Sequence, residues 1–214
     1  MNSSFTLKHN SGHLELILGC MFSGKSTELI QRIYKHHCIG NTVCVITYSK
    51  DNRYGENAVR SHDRLSYKAN VCEKLYDFYN NNKSIIEESQ VICIEEGQFF
   101  SDLFDFVVYC TDELNKHVIV SGLDGDYNRK PFENVINLIS HSESVTKLSA
   151  LCSFCKDGTK ANYSMRTVDS EKRELIGGVD TYLPVCRYHF LKNKEEKEIK
   201  NNLSQDVFEK EKNF

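Results

Sequence analysis

The stretch from Gly19 to Ser26, GCMFSGKS, constrains the fold of this chain more than any other part of the sequence. It matches the phosphate-binding pattern G-x-x-x-x-G-K-[ST] at every specified position, and that pattern requires a strand before it and a helix after it. Residues 14–18 are a short apolar run, and apolar residues recur at helical spacing over residues 26–34. The sequence therefore predicts a strand, a glycine-rich loop and a helix that together bind a nucleotide phosphate.

The residue types within this loop are those that a magnesium-bound triphosphate needs. Glycines at 19 and 24 allow backbone angles that a Cβ hinders, so that N–H groups can turn toward phosphate oxygens. Lys25 supplies positive charge for the β- and γ-phosphates, and the Ser26 hydroxyl is placed to ligate Mg²⁺. We expect ATP contacts from the loop and the first helical turn: Gly19, Cys20, Met21, Phe22, Ser23, Gly24, Lys25, Ser26 and Thr27.

Composition and charge limit the class of protein. The chain has 214 residues, of which 40% are hydrophobic, and a net charge of −3, which gives no global electrostatic case for a nucleic-acid partner. It has no apolar run of about 18 residues and no signal-like amino terminus, so we expect a cytoplasmic protein without a membrane partner. The odd count of nine cysteines argues against a disulfide scaffold. Six of them are scattered singly and are expected to be small buried hydrophobic residues: Cys20, Cys38, Cys44, Cys72, Cys93 and Cys110.

Further apolar runs at residues 42–47, 91–94 and 117–120 predict strands, and residues 144–148 alternate in a way that suggests an edge strand. Helical patterns lie between them, notably over residues 100–116. Near-continuous apolar strands that alternate with helices indicate an α/β fold, a parallel sheet with helices on both faces. In such sheets the ligand lies beyond the carboxyl ends of the strands, which is where the glycine-rich loop falls.

Two adjacent carboxylates, Glu95 and Glu96, end the strand at residues 91–94. P-loop enzymes hold a magnesium-ordering acid at this position. Because adjacent side chains at a strand end point to opposite sides, one carboxylate can face the metal and the other a substrate hydroxyl. An ordinary acidic pair between a strand and a loop is the alternative.

A second ligand pattern lies nearer the carboxyl terminus. Cys152 and Cys155 form a C-x-x-C pair, and Cys186 and His189 form a C-x-x-H pair 30 residues further on. Two such pairs supply the four sulfur and nitrogen ligands of a closed, structural Zn²⁺ site. The alternative is a set of unrelated cysteines with a surface histidine.

Taken in order, five motifs resemble those of type II thymidine kinases, the cytosolic and poxviral kind. They are the P-loop, residues 95–100 (EEGQFF), residues 122–132 (GLDGDYNRKPF), the two ligand pairs, and Ile176-Gly177-Gly178 followed by Tyr182. The resemblance runs from about Leu14 to His189. It implies a P-loop NTPase-like (RecA-like) domain at residues 1–150 and a small zinc-stapled lasso domain at 151–190. Residues 191–214 are half charged, which predicts a tail that is a frayed helix or disordered.

The resemblance also implies an activity, the transfer of the ATP γ-phosphate to the 5′-hydroxyl of thymidine to give dTMP. Glu96 would be the general base, Lys25 would act on the transferred phosphate, and Ser26 and Glu95 would engage Mg²⁺, although the family usually has aspartate at the position of Glu95. Asp51 and Arg53 would lie near the triphosphate. Feedback inhibition by dTTP and a homotetramer are further expectations. The nucleoside contacts implied are Met21, Phe99, Leu123, Tyr127, Tyr163, Ile176, Gly177, Gly178, Val179 and Tyr182.

Three alternatives stay open at this point. The polar residues 49–69, with Lys50, Arg53, Arg60 and Arg64 among them, form either a loop that brings positive charge to a triphosphate or a solvated surface loop. A P-loop ATPase with a zinc module that binds nucleic acid would carry the same loop and ligand pairs. A nucleotide-sensing regulator with a degenerate site is a third reading, which the presence of Lys25, Ser26 and Glu96 together disfavours.

Overall fold

The computed structural model describes residues 11–49, 58–60, 66–170, 172–173, 175 and 177–196. The sheet and hairpin elements within these ranges alternate with helices along the first two thirds of the chain. The strands are β1 (His13–Gly19), β2 (Val43–Tyr48), β3 (Ala58–Arg60), β4 (Ser66–Lys68), β5 (Asn70–Cys72), β6 (Val91–Ile94), β7 (His117–Gly122), β8 (Ser144–Leu148), β9 (Ala150–Leu151), β10 (Lys160–Ala161), β11 (Tyr163–Arg166) and β12 (Tyr182–Val185).

The helices are mostly short. Two 3₁₀ segments, Gly97–Phe99 and Asn137–His141, and one π-helical segment, Tyr109–Glu113, accompany them. The α-helices are α1 (Lys25–Cys38), α2 (Leu75–Asn81), α3 (Lys83–Glu88), α4 (Leu103–Val108), α5 (Glu133–Ile136) and α6, which covers residues 187–196. None of the helices in the described ranges combines the length and apolar composition that a membrane span requires.

Six strands form the central sheet in the order β5-β2-β6-β7-β1-β8, and every pairing between neighbours is parallel. The predicted parallel α/β fold is confirmed, and so is the edge position of β8. Because all strands run the same way, the carboxyl ends of β1, β7 and β6 meet at one edge. The P-loop, residues 123 onward and the acid pair are therefore brought together there.

Apolar side chains cover both faces of this sheet. Within β1, Leu16 and Leu18 pack into a core with α2, α4 and α5, whereas Ile17 packs on the other face against α1. This alternation follows from the two-residue period of a strand. Helices on both faces explain why the strands are apolar almost throughout.

A third, smaller core lies beside the sheet. It is built around the antiparallel pairs β9–β10 and β11–β12 and the start of α6, and it includes Cys20 from the P-loop. Residues 191–196 of the predicted tail continue α6. The remainder of the tail lies outside the described residues.

The helix predicted over residues 100–116 is shorter than expected, because α4 ends at Val108 and a π-helical segment follows. The Thr111 hydroxyl lies 3.1 Å from the carbonyl oxygens of both Val107 and Val108. The backbone of Thr111 also packs so closely against Gly12 that a Cβ there would lie 2.1 Å from the Thr111 carbonyl oxygen. Side-chain bonding to the preceding turn and this close contact distort the helix.

Candidate active site

The P-loop folds as its glycines predict. Gly24, at φ 87°, precedes α1, and Gly19 lies where a Cβ would come within 2.6 Å of the Leu148 carbonyl oxygen and of the Ser23 hydroxyl. Lys25 is buried, and its ammonium group donates a hydrogen bond to the Cys20 carbonyl at 2.9 Å. The loop backbone therefore folds back onto the lysine ammonium group.

Burial lowers the pKa of Lys25, and the carboxylates of Glu96, Glu95 and Asp124 oppose that shift. The same three acids therefore lie near the ammonium group, at the carboxyl ends of β6 and β7. Asp124 also pairs with Lys147 at 2.6 Å. A site of this kind places one fixed positive charge between carboxylates that a magnesium ion could engage.

The two predicted acids have different surroundings. Glu95 is buried, and Thr47 donates a hydrogen bond of 3.5 Å to its carboxylate. Glu96 is half-buried and has φ 53°, a left-handed backbone conformation that non-glycine residues adopt rarely. This conformation turns the chain sharply after β6.

Gln98 orients Glu96 and was not identified from the sequence. Its amide nitrogen donates to the Glu96 carboxylate at 2.5 Å, and its amide oxygen accepts from the Leu123 N–H at 2.9 Å. Only 3% of Gln98 is exposed. In the sequence, Gln98 stands between the acid pair and two phenylalanines, which indicates a buried amide. A buried amide needs hydrogen-bond partners for both its nitrogen and its oxygen, and this was the available signal for its role.

A partly open cavity lies beside the P-loop. Several residues predicted to contact the nucleoside line it, together with residues that sequence analysis missed. The predicted ones are Met21, Phe99, Leu123, Tyr127, Gly177 and Tyr182, with Glu96; the missed ones are Gln98, Gly125, Asp126, Phe132, Ser164, Arg173 and Leu175.

Three predicted contacts lie outside this lining. Tyr163 packs against Phe190 in the third core, because its neighbour Ser164 faces the cavity and successive strand residues point to opposite faces. Val179 is exposed in a turn, and the Gly178 carbonyl accepts bonds from residues 181 and 182 within that turn. Contacts between the nucleoside and these three residues stay predictions. Asp51, Arg53 and Ile176 lie outside the described residues.

Hydrogen bonds join the P-loop to the strands of the third core. The Met21 N–H donates to the Ser164 hydroxyl at 2.9 Å, and the Cys20 thiol donates to the Ala161 carbonyl at 3.3 Å. Burial raises the pKa of the Cys20 thiol, so this cysteine is an inert packing residue, as predicted. These contacts fix Met21 between the phosphate loop and the cavity.

Polar partners anchor the far wall of the cavity. The Tyr182 hydroxyl donates to the Leu175 carbonyl and accepts from Arg166, both at 2.8 Å. The Arg166 guanidinium also stacks 3.7 Å above the Tyr127 ring. The missed residue Arg173 donates to the Asp126 carboxylate at 3.1 Å. Arg166 thus joins Tyr182 to Tyr127, and Arg173 is itself joined to Asp126, both of which follow β7.

The four predicted metal ligands converge on one point. The thiol sulfurs of Cys155 and Cys186 are 3.8 Å apart, and the His189 Nδ1 lies 3.6, 3.4 and 3.3 Å from the sulfurs of Cys152, Cys155 and Cys186. Zinc bonds of about 2.3 Å to sulfur and 2.0–2.1 Å to nitrogen place tetrahedral ligands roughly 3.5–3.8 Å apart. The donor types and spacing therefore fit Zn²⁺, and with four protein ligands no position is left for catalysis.

A family model described as thymidine kinase matches residues 12–190, which include the P-loop, the cavity wall and the four-ligand cluster. This chain belongs to the thymidine kinase family. The match begins one residue before β1 and ends within α6, so it covers the sheet and the third core alike.

Similar thymidine kinases come from plants, an amoeba and poxviruses. Thymidine kinase a of Arabidopsis thaliana is 41% identical over 87% of this chain and 78% of its own length. Thymidine kinase 1 of Dictyostelium discoideum is 42% identical over 83% of this chain and 77% of its own. The thymidine kinase of vaccinia virus (strain Ankara) is 44% identical over 83% of this chain and 96% of its own. The family predicted from the motifs is confirmed.

Proposed function

We infer that this protein is an ATP-dependent thymidine kinase, which transfers the γ-phosphate of ATP to the 5′-hydroxyl of thymidine to give dTMP. The family match and the named relatives support this activity. One structural observation supports it most directly. Met21 of the P-loop and Glu96 line the same cavity, so a phosphate in the loop and a nucleoside in the cavity would meet at Glu96.

Glu96 is the general base in this proposal. It takes the proton of the 5′-hydroxyl while that oxygen forms a bond to the γ-phosphorus, and the bond from the γ-phosphorus to the β-bridging oxygen breaks to release ADP. Lys25 neutralises charge on the transferred group, and the P-loop N–H groups hold the other phosphate oxygens. Ser26 and Glu95 would hold Mg²⁺, which would offset the negative charge of the phosphate groups. The role of Glu95 fits its burial beside Lys25 and Thr47.

The cavity wall supplies the nucleoside contacts. Phe99, Leu123 and Tyr127 offer apolar surface for the base, and Met21 closes the side toward the P-loop. Tyr182 would pack on the deoxyribose, because its hydroxyl is already held by Arg166 and its ring faces the cavity. Gly177 lines the cavity and has no side chain, so its backbone can approach the edge of the base and form hydrogen bonds with it.

The four-ligand cluster is proposed to hold a structural Zn²⁺ that staples the lasso at residues 151–190. We further propose a cytoplasmic homotetramer inhibited by dTTP; these properties rest on the resemblance to the family. The ATPase that binds nucleic acid is not favoured, since the match spans both the P-loop and the zinc cluster.

The substitution Glu96→Gln tests the proposal, because it keeps the shape of the side chain and removes the base. A general base contributes about 10²–10⁴-fold, so dTMP formation is expected to fall by that factor while thymidine binding stays measurable. Exposed Glu88→Gln is the matched control and should leave turnover unchanged. Near wild-type kcat in Glu96→Gln, or ADP release that requires DNA rather than thymidine, would overturn the proposal.

A further inference from the structure

Two histidines and a glutamate meet at the edge of the sheet opposite the P-loop. His13 begins β1 and His117 begins β7, and the two residues are direct neighbours in the parallel register. Glu15 points to the same face as His13, because strand side chains alternate with a period of two. The last turn of α1 covers this face, and the His36 ring lies 4.7 Å from the His117 ring.

The donor atoms of the three residues converge on one carboxylate oxygen. The Nε2 atom of His117 lies 2.9 Å from Glu15 Oε1, and the Nε2 atom of His13 lies 3.7 Å from the same oxygen. All three donor atoms lie within 4.8 Å of one another. Metal bonds of about 2.1 Å to nitrogen and oxygen would put tetrahedral ligands roughly 3.4 Å apart, so the observed distances lie on either side of the value an ion requires.

Charged partners flank two of these side chains on the sides that face away from the proposed ion. Arg32 bonds the other Glu15 oxygen, Oε2, and leaves Oε1 facing the histidines. The far nitrogen of His13, Nδ1, lies 3.8 Å from the Glu143 carboxylate. A histidine with its second nitrogen beside a carboxylate, and a ligand carboxylate held by its own donor, are the usual surroundings of metal ligands.

We propose that His13, Glu15 and His117 form a second metal site that binds a divalent transition-metal ion of the Zn²⁺ type. Two imidazoles and one carboxylate are the donor set of open, three-ligand zinc sites, with solvent as the fourth ligand. The ion replaces the hydrogen bond between His117 and Glu15 and ties the amino-terminal ends of β1 and β7 together. His13 is half-exposed, which gives the ion a path from solvent.

This site is separate from the phosphate loop. Seven residues of β1 lie between His13 and Gly19 inclusive, and a strand of that length spans about 20 Å at 3.3 Å per residue. Variants at His13 or His117 are therefore expected to keep thymidine kinase activity in the absence of added metal. That expectation makes the binding test independent of the proposed function.

The test is a titration of the full chain, with its cysteine cluster already loaded with zinc, by Zn²⁺ alone in equilibrium dialysis. Co²⁺ is used in parallel, because an ion bound by cysteine shows a sulfur charge-transfer band and an ion bound by His13, Glu15 and His117 does not. The variants are His117→Ala, His13→Ala and Glu15→Gln, with exposed His141→Ala as the matched control. Thermal unfolding with and without Zn²⁺ shows that each variant folds.

The wild-type chain and His141→Ala should bind one ion beyond the cysteine cluster and unfold at a higher temperature when Zn²⁺ is in excess. Loss of a direct ligand should weaken that binding by about 100-fold or more, since even outer partners are worth 10–100-fold. The proposal is overturned if the wild type binds no additional ion, or if folded His117→Ala and His13→Ala bind it as the wild type does.

Discussion

Gln98 offers a sharp test of how the active site works, because one buried amide connects the general base to the wall of the nucleoside cavity. Its nitrogen donates to Glu96 and its oxygen accepts from Leu123. Glu96 has a left-handed backbone conformation, which the surrounding structure must hold in place because a non-glycine residue rarely adopts it on its own. Without the amide, the carboxylate would lose the partner that holds it toward the cavity.

Substitution Gln98→Met keeps the volume and removes both hydrogen bonds. A hydrogen bond to a charged group contributes about 1.5–3 kcal/mol. If about 2 kcal/mol of that favours the productive orientation of Glu96, its loss lowers turnover roughly 30-fold. The Leu123 N–H would also be left buried and unpaired, which lowers the free energy of unfolding by about 1–3 kcal/mol.

Substitution Gln98→Glu separates orientation from packing. Its carboxylate can still accept from Leu123, so stability should change less than in Gln98→Met. It also places a negative charge about where the amide nitrogen lies, 2.5 Å from the Glu96 carboxylate, and this raises the pKa of Glu96. A base with a raised pKa becomes protonated at higher pH, so the acid limb of the rate profile should move to higher pH.

The assay is single-turnover formation of dTMP across a pH series, which isolates the chemical step from product release. Exposed Gln90→Met is the matched control and should keep the wild-type rate and profile. The reasoning is refuted if Gln98→Met turns over within about twofold of wild type. It is equally refuted if the acid limb of Gln98→Glu stays where it is in the wild type.

Three further predictions follow from the same geometry. Cys155→Ser or metal chelation should release zinc and loosen the third core, and thymidine binding should weaken more than ATP binding. Metal analysis and separate titrations with thymidine and ATP would show this, and an equal loss of affinity for the two ligands would contradict it. Gly19→Ala should destabilise the chain more than Gly40→Ala does. At Gly40, where φ is +83°, no atom lies within 4 Å of an added Cβ, so only the backbone cost of about 1–2 kcal/mol applies. At Gly19 the Cβ would also lie 2.6 Å from the Leu148 carbonyl oxygen, and equal melting temperatures for the two variants would argue against this reasoning. Hydrogen bonding by His117 holds the pKa of Glu15 at about 2 against an ordinary 4.5, so the stability that this interaction provides is present above pH 4.5 and is lost as the pH falls toward 2. Denaturant unfolding should show this acid loss in the wild type and not in Glu15→Gln.

Much of the fold could be predicted from the sequence because local pattern and tertiary environment agree. Residues 91–94 and 144–148 are strands with the bounds that their apolar or alternating patterns indicate. The P-loop pattern occurs between a strand and a helix, so this one motif predicted a strand, a turn and a helix. The cysteine and histidine spacing likewise predicted which four residues meet, because the ligand pairs fit only a small set of geometries.

The missed features depend on contacts between residues far apart in sequence. Gln98 meets Leu123, and Arg173 meets Asp126 47 positions away, so no local pattern marks either pair. The position of Tyr163 was inferred from the family resemblance, and the pattern of β11 alone does not show which of its residues face the cavity. The shortening of the helix after Val108 depends on the packing of Thr111 against Gly12, which the helical pattern does not encode.

A crystal structure of the protein with bound thymidine tests the proposed active site most directly. We expect the base to lie between Phe99 and Tyr127 and the 5′-oxygen to lie about 2.6–3.2 Å from a Glu96 carboxylate oxygen, on the side that faces the P-loop. A nucleoside bound outside this cavity, or one whose 5′-hydroxyl turns away from Glu96 toward another group, would contradict it.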